Sequence, residues 1–304
     1  MKRFIDLIYQ KSPLQKKRLE SFVNQRDSEY WSYANNFANS FSLLLHSKGI
    51  DESYAVDAYL KMCKDMITEQ IKFQRSGNYS CTSERDSYNS VYSNERVMTD
   101  YMLGLALSQF LWPQHYEIFS FFNKVLTSYN NHSVKSYLEI GAGHGLFTSA
   151  SMNVFGQIKF EIIDLSEHSI NMCRLLLRNM LSTDFMPDMK IQNALDIDKN
   201  RYFDFITMGE VIEHVEKPKP LLLKINQLLS DNGVAFLTTC ANCPAIDHIY
   251  LFKNCREIRE MFKECGLEIL REIAIPVEDV SVEKAEQYNL GINYAAVVKK
   301  AENI

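Results

Sequence analysis

A glycine-rich turn after a short apolar segment constrains the fold of this chain more than any other feature. The largely apolar run 137–140 ends in Gly141, Gly143 and Gly145, and a helix is predicted to follow over Leu146–Val154. A strand that turns through glycines into a helix exposes backbone N–H groups with no Cβ beside them. The turn therefore predicts a site for a nucleotide-like ligand.

The spacing of the glycines narrows the class of ligand. A dinucleotide fingerprint, G-x-G-x-x-G, would place its third glycine at position 146, where this chain has Leu146. An acidic residue, Glu139, precedes the turn instead. Both differences disfavour a Rossmann dehydrogenase.

A carboxylate is expected at the end of the next strand. Lys159–Ile163 is the second predicted strand, and Asp164 follows it, 19 residues after Gly145. A carboxylate at this position can accept hydrogen bonds from both ribose hydroxyls of an adenosine. Alternatively, Asp164 belongs to the start of a helix over Ile170–Met180, which Ser166 would cap. Both interpretations are compatible, because the two residues lie two positions apart.

Three more strands are predicted, at residues 189–193, 203–208 and 234–239. Strands that alternate with helices in this way indicate a parallel, doubly wound α/β sheet. Over about residues 134–300, the order of these motifs resembles that of the class I S-adenosylmethionine (SAM)-dependent methyltransferases. The resemblance implies a Rossmann-like fold with a seven-stranded, mainly parallel sheet, and SAM as the cofactor.

The resemblance also assigns residues to the cofactor. Asn193 stands where many relatives have Asp, so the contact with the adenine is expected in altered form. The residues implied to bind SAM are Glu139, Gly141, Gly143, Gly145, Asp164, Leu165, Asn193, Ala194, Asp196, Gly209 and Glu210.

The acceptor side of such a site lies on the loops after the fourth and fifth strands. A sulfonium methyl group is already a strong electrophile, so the enzyme has to align the nucleophile and exclude water. We expect His248 to be the catalytic base, with Asp247 orienting it and Tyr250 contacting the substrate. The alternative is that His248 is a histidine outside the chemistry.

A metal site is the second hypothesis for these loops. Glu210, Glu213 and His214 share one face if the segment is helical, and with His248 they could bind a divalent metal. The segment Glu-Val-Ile-Glu-His resembles that of ubiquinone-biosynthesis O-methyltransferases and small-RNA 2′-O-methyltransferases. Alternatively, these residues pack beneath the cofactor pocket without metal, and we do not favour a metal.

The first 130 residues lack glycine turns and strand patterns, and they predict an all-helical domain over residues 1–130 before a SAM-binding catalytic domain over residues 131–304. The expected boundary is the polar segment 129–133, and Pro113 is expected to break the last helix in two. The predicted helices are Phe4–Gln10, Leu14–Asn36, Asn39–Ser47, Ser53–Gln74 and Asn94–Leu126. Such a domain could cover the acceptor, form a dimer surface, or both.

Aromatic residues with polar groups are frequent in the helical part, where they indicate either an acceptor pocket or an ordinary helical core. Tyr88 and Tyr92 are the preferred substrate-binding candidates, because they lie where a polar loop, residues 77–93, meets a helix. The full set is Tyr79, Tyr88, Tyr92, Tyr101, Trp112, His115 and Tyr116.

Composition limits the remaining choices. The 304-residue chain has a net charge of −5, which disfavours nucleic acid and anionic membranes as partners. It contains no apolar run near the length of a membrane span and no signal-like apolar core, so a cytoplasmic enzyme is expected. The seven cysteines are expected to be free thiols rather than zinc ligands.

The sequence therefore predicts a SAM-dependent methyltransferase that acts on an oxygen or nitrogen atom of a small molecule. Two alternatives stay open: a metal-dependent O-methyltransferase, and a SAM-binding interaction protein without transfer activity.

Overall fold

The computed structural model describes residues 1–130, 133–181 and 184–302. Residues 131 and 132 of the expected boundary segment lie outside this range, as does the side chain of Tyr92. In the described part, no helix is both long enough and apolar enough to cross a membrane.

Among the described residues, seven α-helices precede the first strand. They are α1 (Lys2–Lys11), α2 (Pro13–Asn24), α3 (Ser28–Ser47), α4 (Glu52–Ser76), α5 (Glu84–Ser87), α6 (Glu95–Leu111) and α7 (Pro113–Ser128). Side chains cap most of their N-termini: Asp27 accepts a hydrogen bond from the backbone N–H of Tyr30, and Asn94 accepts one from that of Val97. Pro113 is the first residue of α7, as predicted.

Two predictions for the helical part were wrong. The break in the predicted helix Leu14–Asn36 falls at residues 25–27, since the Asp27 cap starts α3, which then runs through to Ser47. The segment 77–93, predicted to be a loop, contains α5 and a π-helical turn over Tyr88–Tyr92.

The remaining chain forms a seven-stranded sheet with the order β3-β2-β1-β4-β5-β7-β6. Only β7 runs antiparallel to its neighbours, so the predicted doubly wound, mainly parallel sheet is confirmed. The strands are β1 (Ser136–Ile140), β2 (Lys159–Asp164), β3 (Asp188–Ile191), β4 (Phe203–Gly209), β5 (Leu229–Ala241), β6 (Leu267–Pro276) and β7 (Ile292–Lys300). The helices between them are α8 (Leu146–Phe155), α9 (Glu167–Met180), α10 (Pro218–Leu228), α11 (Cys255–Glu264) and α12 (Val282–Gln287).

Two apolar clusters cover the two faces of the sheet. One combines the helical part with side chains such as Tyr137 and Phe205, and the other packs α10 and α11 on the opposite face. Phe122 of α7 joins the helices to the sheet, because its ring lies 4.6 Å from that of Phe147 and 4.7 Å from that of Phe236. The domain boundary between residues 130 and 131 stays a prediction.

Because β1, β2, β4 and β5 are parallel, their carboxyl ends meet at one edge of the sheet. In open α/β sheets this edge is where ligands bind. Helices α2, α4, α6 and α7 contribute residues above it.

Candidate active site

A large cavity of about 1560 Å³ lies between the carboxyl ends of the strands and the helical part. Pockets for drug-sized ligands usually occupy about 300–1,000 Å³, so this one has room for more than one small molecule. Most of the predicted site residues line it: Tyr88, Glu139, Gly141, Gly143, Asp164, Leu165, Asn193, Ala194, Gly209, Glu210, His214, Asp247 and His248.

The glycine turn follows β1 and has backbone angles that side chains rarely adopt. Gly143 and Gly145 have φ values of +50° and +77°. A Cβ on Gly145 would lie 2.6 Å from the Sγ atom of Cys173 in α9, whereas a Cβ on Gly143 would meet no protein atom within 4 Å. Gly145 therefore serves the packing of the turn on α9, and Gly143 keeps the cavity side of the turn open.

Glu139 lies beneath the turn and is 2% exposed. Its Oε2 atom accepts hydrogen bonds from the hydroxyl groups of Tyr137, at 2.7 Å, and Thr148, at 2.6 Å. Burial raises the pKa of the carboxyl to about 7, although both hydrogen bonds favour the charged form. These contacts tie β1 to α8, which begins directly after the turn.

Asp164 ends β2 beside the turn. Its Oδ1 accepts a hydrogen bond from the backbone N–H of Ser166, at 2.8 Å, and its Oδ2 accepts one from that of Gly143, at 3.5 Å. Burial raises the pKa of this carboxyl, and no ion pair to it is found in the described residues. Ser166 also caps α9, so the two expected roles of this segment coexist.

An apolar patch adjoins Asp164 at the end of β3. Leu165 is 71% exposed and Leu195 is 45% exposed, and both line the cavity. The Oδ1 atom of Asn193 accepts a hydrogen bond from the backbone N–H of Leu195, at 2.9 Å, and a carbonyl oxygen can accept a second. Flat apolar surfaces beside such an acceptor suit an aromatic base. Asp196 is exposed and does not line the cavity.

The predicted helical face at Glu210, Glu213 and His214 was wrong. Glu210 has a φ of +51°, and only Ile212–His214 form a short 3-10 turn. Thr238 on β5 holds Glu210 there, because its hydroxyl accepts from the Glu210 backbone N–H at 3.0 Å and donates to Oε1 at 2.7 Å. A left-handed backbone at a residue with a side chain is uncommon, and Glu210 therefore does not start a helix that carries the other two residues.

Glu213 is completely buried and does not line the cavity. The hydroxyl of Thr239 donates to its Oε2 at 2.8 Å, while Oε1 is buried without a hydrogen-bond partner among the described residues. Burial and the nearby carboxylate of Glu210 raise the pKa of Glu213 well above its ordinary range.

His248 has a defined tautomer. Its Nδ1–H donates to the carbonyl oxygen of Cys243 at 2.6 Å, which leaves Nε2 with a free lone pair. Burial and the neighbouring His214 lower the pKa of the imidazole to about 4. His248 is thus neutral at neutral pH, and it lines the cavity.

Asp247 connects the sheet with the helical part. It is fully buried; the hydroxyl of Tyr101 on α6 lies 3.2 Å from its Oδ1, and Nδ1 of His214 lies 3.4 Å from its Oδ2. The backbone carbonyl of Cys243 takes the orienting position on His248 that the sequence suggested for Asp247.

Potential metal ligands converge at the same edge. The ligand atoms of Glu213, Cys240 and His248 lie within 4.8 Å of one another, as do those of His214, Asp247 and His248. Both groups are built around His248. Cys240, which the sequence analysis did not assign to a metal with these residues, belongs to the first group, whereas Glu210 belongs to neither.

The predicted substrate-binding tyrosines have different positions. Tyr88 lines the cavity and is 60% exposed, whereas Tyr250 packs on Phe252, with ring centroids 4.8 Å apart, and does not line it. The side chain of Tyr92 lies outside the described residues. Tyr79 is buried, and its hydroxyl accepts a hydrogen bond from the backbone N–H of Cys243 at 3.0 Å.

Sequence reasoning missed several residues that line the cavity from the helical part. Gln15, Met98, Met102 and Gln114 are each at most 7% exposed, yet all four lie on its wall. In the sequence these residues cannot be told apart from ordinary positions on amphipathic helices.

The sequence of this chain matches a known protein family. The model of a family described as a methyltransferase domain matches residues 113–272, which is just over half of the chain. The ubiquinone biosynthesis O-methyltransferase of Xanthomonas campestris pv. campestris (strain B100) is 29% identical over 110 residues, 36% of this chain and 44% of that protein. Its counterpart in Xanthomonas euvesicatoria pv. vesicatoria (strain 85-10) is 27% identical over 157 residues, 47% and 64% of the two chains. This chain therefore spans less than two thirds of either relative.

Solved structures show the same fold. The N-methyltransferase NodS from Bradyrhizobium japonicum WM9, in complex with S-adenosyl-L-homocysteine (SAH), is similar with a TM-score of 0.52 and 15% identity, covering 71% of this chain and all of NodS. The mitomycin 7-O-methyltransferase MmcR is similar with a TM-score of 0.53 and 10% identity, covering 83% and 71%.

Proposed function

This chain belongs to the methyltransferase domain family, and from that premise we propose that it transfers the methyl group of SAM to an oxygen or nitrogen atom of a small-molecule acceptor. A cytoplasmic location, expected from the sequence, stays a prediction, and a dimer surface on the helical part stays one of its two possible roles.

The buried carboxylate of Asp164 carries the proposal. It lies beside the glycine turn with backbone N–H groups on both oxygens, and burial raises its pKa. A ribose diol would supply two further hydrogen bonds to the charged form and offset its desolvation. Leu165 and Leu195 would enclose the adenine, and the open side of Gly143 would face the rest of the cofactor.

His248 supports transfer rather than binding alone. A neutral imidazole with a free Nε2 can accept the proton of a hydroxyl group as its oxygen bonds to the methyl group and SAH leaves. The carbonyl of Cys243 fixes the tautomer needed for this step. The pKa of His248 is about 4, so this imidazole can accept the hydroxyl proton once the bond between the acceptor oxygen and the methyl group has made that proton acidic.

Calorimetric titration with SAH tests the cofactor site. Asp164→Ala should weaken SAH binding by about 10²- to 10⁴-fold, since two hydrogen bonds to a charged group contribute about 1.5–3 kcal/mol each. Asp188→Ala is the matched control, because Asp188 is an exposed aspartate on the neighbouring strand β3 that pairs with Lys190. Equal SAH affinity in the wild type and Asp164→Ala would refute the assignment.

Release of SAH from SAM in the presence of phenols and amines tests the transfer step. Wild-type protein that binds SAH but turns over none of these acceptors would favour the alternative of a SAM-binding interaction protein. His248→Asn should lower turnover without changing SAH affinity, whereas an unchanged rate would exclude His248 as the base.

A metal-dependent O-methyltransferase is the second candidate, and the unpartnered Oε1 atom of Glu213 favours it. A metal held by Glu213, Cys240 and His248 would supply a Lewis acid for an acceptor hydroxyl. Sulfur and nitrogen ligands beside one carboxylate suit Zn²⁺ or a similar transition metal better than Mg²⁺.

Titration of the metal-free protein with Zn²⁺ tests this second candidate directly. Wild-type protein should bind one equivalent and Cys240→Ser should bind it more weakly, while Cys265→Ser, outside the cluster, should not differ from wild type. Absence of Zn²⁺ binding, together with full turnover in a chelator, would leave these residues with a structural role.

A further inference from the structure

The cavity continues from the catalytic residues into the helical part of the chain, between α2, α4, α6 and α7. Its wall there is mainly apolar and includes Leu19, Phe22, Met98, Met102 and Trp112. We name this space the helical compartment. Its methionines can adjust to ligands of different shape, because an unbranched thioether side chain has many accessible conformations.

Two amide side chains interrupt this apolar wall. Gln15 of α2 and Gln114 of α7 are each 7% exposed, and both line the cavity. Neither side-chain amide forms a hydrogen bond with any residue that the structure describes. The amide nitrogen and oxygen atoms of both side chains are therefore open to the cavity and not used by the protein, so they are donors and acceptors that a ligand can use.

The helical compartment carries almost no charge. Arg18 is the one formally charged residue that α2, α4, α6 and α7 contribute to the described lining, and it lies 3.9 Å from the carboxylate of Glu278. His115 is neutral, because burial lowers the pKa of its imidazole to about 4. A cationic group on a ligand would find no counter-charge on the lining that these four helices contribute, and an anionic group would find only Arg18, which already pairs with Glu278.

We infer that the helical compartment receives the body of the acceptor, an uncharged, elongated and largely apolar molecule. Its hydroxyl or carbonyl group remote from the methylated atom binds to Gln15 and Gln114. This inference rests on the proposed function, because it assumes that the sheet side of the cavity holds the cofactor and the methylated atom. Gln15 and Gln114 are then specificity-determining residues.

A series of esters of 4-hydroxybenzoate tests the inference by calorimetry in the presence of saturating SAH. Each ω-hydroxyalkyl ester is paired with the alkyl ester that lacks the terminal hydroxyl, and free 4-hydroxybenzoate is the anionic probe. Affinity for the alkyl esters should rise about fourfold for each methylene that enters the compartment. Free 4-hydroxybenzoate should bind far more weakly than any ester.

The double variant Gln15→Leu/Gln114→Leu should shift the preference from the hydroxyalkyl to the alkyl ester by about 10- to 100-fold at one or more chain lengths, because the hydroxyl loses its partners. Gln10→Leu is the matched control, because Gln10 is exposed on α1 and does not line the cavity. The preference of this variant for the hydroxyalkyl over the alkyl ester should equal that of the wild type. Melting temperature and SAH affinity verify that each variant is folded.

Two results would overturn the inference. The first is the same preference in the wild type and the double variant at every chain length. The second is binding of free 4-hydroxybenzoate as tight as that of the esters. The SAH titration distinguishes failure of this inference from failure of the proposed function. If the wild type does not bind SAH, the proposed function is wrong. If it binds SAH but none of the esters, only the inference about the helical compartment is wrong.

Discussion

Replacing Glu139 by glutamine tests whether burial controls the protonation of this carboxyl and thereby the stability of the fold. Glu139 is 2% exposed and its pKa is raised to about 7 from an ordinary value of 4.5. Glutamine keeps the length of the side chain and an acceptor oxygen for Tyr137 and Thr148, but it cannot ionise. The substitution therefore removes the titration and retains most of the packing.

The sign and size of the effect follow from linkage. Between pH 4.5 and about 7 the folded protein keeps a proton on Glu139 that the unfolded chain releases, so stability falls as the pH rises through this window. At about 1.4 kcal/mol for each pH unit, Glu139 lowers the free energy of unfolding by about 3 kcal/mol across the window. Glu139→Gln should consequently gain stability relative to the wild type as the pH rises, and the gain should level off above about pH 7.5.

Urea unfolding of ligand-free protein, followed by far-UV circular dichroism at pH values from about 5 to 8.5, measures this difference across most of the titration window. Other titrating groups act equally on both proteins, and a constant effect of the amide leaves the slope unchanged. Glu260→Gln is the control, because Glu260 is an exposed carboxylate on α11 whose side chain is 60% exposed. Parallel stability curves for the wild type and Glu139→Gln would refute the reasoning.

Four further substitutions probe the glycine turn and the helical part. Gly145→Ala should lower the free energy of unfolding by about 2–4 kcal/mol, because the backbone is left-handed and the new Cβ would lie 2.6 Å from Cys173. Gly143→Ala should lower the free energy of unfolding by only about 1 kcal/mol, but it should weaken SAH binding. Equal urea midpoints for the two variants would contradict this. Burial lowers the pKa of His115 to about 4, so the free energy of unfolding falls as the pH drops below about 6.5. His115→Gln should recover about 3 kcal/mol near pH 4 in acid unfolding. An unchanged midpoint of acid unfolding would exclude this effect of His115. Tyr101→Phe should lower the free energy of unfolding by about 1–2 kcal/mol, because it removes a hydroxyl from buried Asp247. Urea unfolding without such a loss would contradict this prediction.

The sheet side of the cavity could be predicted because its determinants are local. The strand, the glycines and Asp164 lie within about 30 residues of sequence, and each position has a backbone or charge requirement that few residue types meet. The parallel order of the strands then fixes where their ends meet, so a one-dimensional pattern specifies a three-dimensional edge.

The segment from Glu210 to His214 could not be predicted in the same way. Its residue types suit a helix, and the spacing of its polar side chains suits one helical face. The left-handed backbone of Glu210 depends on Thr238, which lies 28 residues later on β5 and bonds both the backbone and the side chain of Glu210. A tertiary contact thus overrides the local pattern, and the metal-ligand group changes with it.

The helical compartment lies furthest from what sequence patterns can reach. Gln15 and Gln114 are 99 residues apart and belong to different helices, and glutamine on an amphipathic helix ordinarily faces water. Only the packing of α2 and α7 over the sheet buries both amides in one cavity. Because the same positions would be tolerated on a solvated helix face, the residues proposed to select the acceptor have no signature of their own, in contrast to the glycines proposed to bind the cofactor. Selectivity for the acceptor can therefore change through single helix positions while the sheet side of the site stays as it is.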